Sequence, residues 1–248
     1  MRRQFSDGHF ARTAFVLAAV LYSVYGISRV NTYLTSGYDL GIFDQAVRHY
    51  AHFQAPIVTL KGDGYTIWAD HFHPIIALWA PLYWIWDNIR VLVIGQAVVV
   101  ASAAFPLWRF LRRHVTRTPW AKLFLAGALL GWPIQCLIDF DVHEIAFAFP
   151  LMAWIIDALD RRDDKTLIVC SALLLLVRED MGVIVALIGL LRWGSSPRED
   201  DNRRWIISIG MILAGITTFI LTTTVIIPHF SGGGVSLLEL PGTWGHSA

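Results

Sequence analysis

The chain has 248 residues, 55% of them hydrophobic and only 16% charged, with a mean hydropathy of +0.52 and a formal net charge of +1. A soluble domain of this length carries about a quarter charged residues, so the composition excludes an ordinary soluble enzyme, and a charge near zero gives no support for nucleic-acid binding. Eleven Trp and fourteen Phe add to the apolar excess, and Trp and Tyr favour membrane interfaces; the lipid bilayer is the partner this composition implies, with one membrane domain over 1–248.

The basic MRRQ start and the apolar run Thr13–Val30 read as a retained signal anchor, because no small-residue cleavage pattern closes the run. A polar outer loop, 34–73, follows, opening with GYDLGIFDQAVRHY. Here Asp39 stands where a helix can begin, able either to cap the amides of residues 41 and 42 or to act as a general base. Asp44 lies four residues before Arg48, the spacing of an ordinary helix-surface pair. The segment KGDGYTIWADHFHP adds Lys61, a candidate for a phosphate, with Asp70, His71 and His73. Those three are metal-ligating types, but histidines two apart diverge on a helix or a strand, so a closed metal site is not expected.

Pro74–Trp86 is short for a span and reads as an interfacial helix. Arg90 opens the next apolar run, Val91–Trp108, and a cation at an outer boundary suits a lipid phosphate. The basic RFLRRHVTRTPWAK then places residues 109–122 in the cytoplasm with the N-terminus. Spans are expected at Leu123–Ile138, Ile145–Leu159, Thr166–Val177, Met181–Trp193 and Trp205–Ile227. The result is an all-α, polytopic protein of about seven transmembrane helices, with short interfacial helices in its outer loop.

Two further polar motifs fall on the outer side in this topology. DFDVHE packs Asp139, Asp141, His143 and Glu144 into six residues. Helix-dipole capping accounts for one or two such acids; the D-x-D pattern can also hold a divalent cation, Mg or Mn, on Asp139, Asp141 and Glu144. RED places Arg178, Glu179 and Asp180 at the turn of a short hairpin, where ion pairing and function both suit charged residues. Cys136 and Cys170 lie in apolar runs and read as buried free thiols.

The succession YDLGIFDQ, DHFHPIIALWAPLYW, FDVHEIAFAFPLMAW and REDMGVIVALIGL resembles a bacterial and archaeal membrane family labelled domain of unknown function 2079, over roughly residues 15–230. That family is in turn similar to the type C integral-membrane glycosyltransferases. The resemblance implies transfer of a sugar from a polyprenyl-phosphate donor to an acceptor hydroxyl on the outer face of the cell membrane. It puts the essential acid at Asp39, with Asp44 second, and further acids at Asp139, Asp141 and Glu144. Lys61, Arg90 and Arg178 would hold the leaving phosphate. Relatives continue with more spans, so it also implies that this chain is either the front module of a longer protein or a truncated reading frame. A transporter or lipid flippase, with charged turns as gates, and a non-catalytic membrane scaffold are the alternative readings.

Overall fold

A computed structural model describes residues 2–194 and 202–231. Among them the fold is all-α, the only strand-like pairing being one antiparallel bridge between Ile57 and Thr66. Helix α1, Arg2–Asn31, is closed by a left-handed Tyr33 at φ 57°, which lets the Leu34 amide donate to the Arg29 carbonyl at 2.9 Å. Then comes α2, Asp39–Ala51, whose inward stripe of Leu40, Phe43, Ala46 and Val47 is buried. Short 3₁₀ turns at Thr59–Lys61, Ile67–Ala69 and Pro74–Trp79 lead into α3, Ala80–Ile85. Helices α4, Arg90–Ala101, and α5, Ala104–His114, form one rod with a break at Ser102. Helices α6, Thr118–Leu130, and α7, Trp132–Asp139, form another, broken at Gly131 ahead of Pro133. After a 3₁₀ turn come α8, Ala148–Arg161, α9, Asp164–Leu174, α10, Met181–Gly194, and α11, Asn202–Leu221. A π-helical turn over Thr222–Ile226 joins α11 to α12, Ile227–Phe230.

Among the described residues, four helical stretches are long and apolar enough to cross a membrane: Gly8–Asn31, Arg90–His114, Thr118–Asp139 and Arg204–Phe230. Exposed Val16, Leu17, Val20, Leu123, Phe124, Leu213 and Ile220 give three of them an outer surface of hydrocarbon, as suits lipid, while Arg90–His114 is the most buried of the four. Helices α8 and α9 are shorter, and α10, Met181–Gly194, is a short apolar helix. Pro74–Ile85 is a short apolar helix, as expected, with Ile75, Ile76 and Trp79 buried and Leu78, Trp84 and Ile85 exposed. Most of the PREDDNRR connection and of the SGGG tract lies outside the described residues.

Close backbone approach sets the α10–α11 pair. A β-carbon added at Gly182 would sit 2.5 Å from the Gly215 carbonyl, so only glycine admits this contact. Cys170 is buried as expected; Cys136 is exposed, because it lies on the outward face of α7.

Candidate functional site

Polar side chains collect at the two ends of the bundle. At the end reached by α7 and left by α8, the DFD turn is locked from three sides. Arg29, at the end of α1, donates to Asp139 and lies 3.4 Å from Asp141. Gln96, 2% exposed on α4, donates to the Asp141 carbonyl at 2.7 Å and accepts from the His143 amide at 2.9 Å. Asp141 takes a left-handed φ of 69°, a conformation Asp tolerates better than most residues. Its Oδ2 accepts the Ser36 amide at 2.6 Å, and Ser36 Oγ accepts the Asp39 amide at 3.1 Å.

That chain of contacts corrects the expectation for Asp39. Ser36, not Asp39, caps α2, because Asp141 holds Ser36 where its hydroxyl meets the first helical amide. Among the described residues the Asp39 side chain has no hydrogen-bond or ion-pair partner. Asp44 behaves as its spacing predicts, accepting from Arg48 Nε at 2.9 Å and also from the Tyr83 hydroxyl, while Arg48 bridges on to Asp87.

A second group forms where the 71–75 segment meets the RED turn. The Ile75 amide donates to the Leu176 carbonyl at 3.0 Å and the Phe72 amide to Glu179 at 3.1 Å. His71 Nδ1 is 2.7 Å from Glu179. This hydrogen bond holds the His71 pKa above its ordinary value. Burial pulls Glu179 upward, but the His71 and backbone hydrogen bonds outweigh it and leave its pKa lowered. Arg178 pairs with Asp180, its Nε donating at 2.9 Å, and stands 3.7 Å from Glu144, itself only 4% exposed. His73 points the other way from His71, into the core at 2% exposure, where burial lowers its pKa. Phe43 of α2 packs on both His73 and His143, at ring-centre distances of 5.7 and 5.3 Å. The Nδ1 atoms of both histidines are buried without a hydrogen-bond partner among the described residues.

The three candidate phosphate-binding cations differ. Lys61 is neutralised by Asp70, which also accepts from Tyr65, and Arg178 by Asp180. Among the described residues Arg90 hydrogen-bonds only to neutral Asn31, at 3.1 Å, and Asn88, also at 3.1 Å. Its charge is therefore uncompensated at the N-terminus of α4, where the helix dipole also favours an anion.

The acids that could hold a cation, Asp139, Asp141 and Glu144, are engaged by arginines. Asp139 and Asp141 are both taken by Arg29, and Glu144 turns toward Arg178, so the three carboxylates are engaged by two arginines instead of facing one another. No group of three or more His, Cys, Asp and Glu among the described residues could hold a metal ion. The sequence reading missed Tyr25, Arg29, Ser36 and Gln96. Arg29 carried a usable signal: like Arg90, it is a cation at the non-basic end of an apolar run.

The opposite end carries the basic loops. Asp157 is fully buried there and accepts from Arg113 at 2.6 Å and Arg161 at 3.0 Å, with Arg109 at 3.1 Å.

No curated protein and no solved structure matches the chain. A family model described as "Predicted membrane protein (DUF2079)" matches residues 29–247, the stretch from Arg29 through the RED hairpin and beyond, and this membrane protein therefore belongs to that family of unknown function.

Proposed function

We propose that the protein transfers a sugar from a polyprenyl-phosphate donor to an acceptor hydroxyl at the outer face of the cell membrane. The helices would make seven crossings with the N-terminus cytoplasmic, the arrangement of the type C glycosyltransferases. One observation carries the reading: of the acids the sequence singled out at this end, Asp39 alone has a side chain with no partner among the described residues; Asp63, equally free, is fully out on the exposed Gly62–Gly64 turn. The Asp141–Ser36 contact nevertheless fixes its backbone.

In the reaction, the acceptor oxygen attacks the anomeric carbon of the sugar and the bond from that carbon to the phosphate oxygen breaks. The polyprenyl phosphate leaves with the bonding electrons, and the acceptor proton passes to Asp39 and then to water. Arg90, whose charge no carboxylate cancels, faces the anion that develops. No step runs through a metal ion, because the donor set does not fit one. Transport fits less well, since the ion pairs gather at the helix ends rather than partway along the spans.

The test is transfer of radiolabelled sugar from a synthetic polyprenyl phosphate to endogenous acceptors in inverted and right-side-out vesicles. Wild type should transfer in right-side-out vesicles, and Asp39→Asn should fall by on the order of 10²- to 10⁴-fold, the worth of a general base, with membrane abundance unchanged. Equal transfer by Asp39→Asn, or loss of folded protein, sinks Asp39 as the base.

A further inference from the structure

The break between α6 and α7 leaves a groove of about 470 Å³ against α1. Its walls are Leu21, Tyr22 and Leu130, and its mouth carries Tyr25, Gln135 and Asp139. Leu21 and Leu130 also line an apolar hollow of about 200 Å³ beyond it, so the two form one track along α1. The track has local causes. Gly131 and Pro133 interrupt the rod, Gln135 Nε2 donates to the Leu130 carbonyl at 2.6 Å, and Tyr22 ties α1 to Leu129 across the gap at 2.6 Å. From Leu21 to the end of α1 is roughly 15 Å at the helical rise, about half the hydrocarbon thickness of a bilayer. Both flanking helices are membrane-crossing candidates with only 28% of their apolar windows buried, so the groove opens to lipid.

The mouth selects a head group. Asp139 Oδ1 accepts both the Tyr25 hydroxyl and Arg29, whereas Asp139 Oδ2 has no partner among the described residues. Asp139 is the one charged residue lining the groove, and its partner Arg29 is shared with the buried Asp141 behind it, so no positive charge is left over at the mouth. A free carboxylate oxygen only accepts hydrogen bonds, and a negative mouth repels a phosphate. The uncompensated Arg90 lies elsewhere: it meets Asn31, two residues after Arg29 and so about 200° around the helix.

We infer that the groove binds a membrane lipid with an uncharged, hydroxyl-bearing head, one hydrocarbon chain lying along Leu21 and Leu130 and the head hydroxyls donating to Asp139. The inference stands on the groove and not on the transfer reaction, so lipid binding and sugar transfer are separate results.

The experiment is photo-crosslinking of the full chain in lipid nanodiscs, using a diazirine-tagged monohexosyl diacylglycerol and the same tag on phosphatidic acid. Adducts are mapped by mass spectrometry. Hexosyl-lipid adducts should concentrate on 21–25 and 130–139, about tenfold above those of phosphatidic acid, the ratio expected from one hydrogen bond to a charged group. Leu21→Trp, which fills the groove, should abolish them. Leu78→Trp, in a separate apolar hollow beside Val91 and Val98, should leave them unchanged. Asp139→Asn keeps the shape and should erase the preference between heads. Adducts spread evenly over the lipid-facing helices and indifferent to Leu21→Trp would overturn the groove. Equal groove labelling by phosphatidic acid in the wild type would overturn the assignment of the head.

Discussion

Asp39 and Asp44 stand on the same short helix and meet different surroundings. The i, i+4 partner of Asp44 was legible in the sequence, and the pair forms. The freedom of Asp39 was not, because it depends on Ser36 being gripped by Asp141, about a hundred residues downstream. His71 and Glu179 are a similar long-range pair, and they make a pH prediction. The raised pKa of His71 means its contribution to stability is complete below its ordinary value of 6.5 and fades as pH rises through the elevated one. The lowered pKa of Glu179 means its contribution is complete above its ordinary value of 4.5 and fades as pH falls through the depressed one. The stability difference between wild type and His71→Gln should therefore be widest between pH 4.5 and 6.5 and shrink on both sides. Thermal melts of purified protein across that range measure it; a gap that ignores pH would show that the pair does not titrate as described.

At the scale of elements, hydropathy locates the long apolar helices but not their internal breaks. Leu123–Ile138 reads as one span, yet Gly131 and Pro133 divide it, and the groove exists because they do. Residues 91–108 read as one span as well, and Ser102 interrupts them. Helix packing was equally hidden, since the Gly182–Gly215 contact joins positions that only the fold brings together. Gly182→Val should force α10 and α11 apart and cost about 1–3 kcal/mol or more, the usual range for overpacking. Gly210→Val is the control, because a β-carbon there meets nothing within 4 Å. Equal melting temperatures for the two variants would contradict the close approach. At the basic end, Asp157→Asn should destabilise by on the order of 3 kcal/mol, the lower end for a broken buried pair. The smaller loss is expected because Arg109, Arg113 and Arg161 keep partial exposure of 40%, 33% and 27%. A chemical denaturation series measures it, and an unchanged midpoint would mean the three arginines need no carboxylate. Asp157 carried no signal in the sequence, because it sits inside the apolar run Ile145–Leu159, one helical turn before Arg161.

For the whole molecule, the central claim is convergence. Motifs at 36–39, 71–73, 139–144 and 178–180 lie far apart in sequence, and direct contacts join them at one end, through Arg29, Ser36, Glu144 and Glu179. Topological reasoning from the basic loops foresaw a shared face, because alternating apolar helices must return polar turns to the same side. It did not foresee which acids would be consumed by arginines, and so it gathered a cation site that the fold disperses. Sidedness is what turns this gathering into an outer-face site, and cysteine accessibility measures it most directly. In a chain carrying Cys136→Ser and Cys170→Ala, single cysteines at Thr59, Thr116 and Ser231 are exposed to a membrane-impermeant maleimide on intact cells. The account predicts labelling at Thr59 and Ser231 and protection at Thr116 until the membrane is opened; labelling of Thr116 on intact cells, with Thr59 protected, would contradict it.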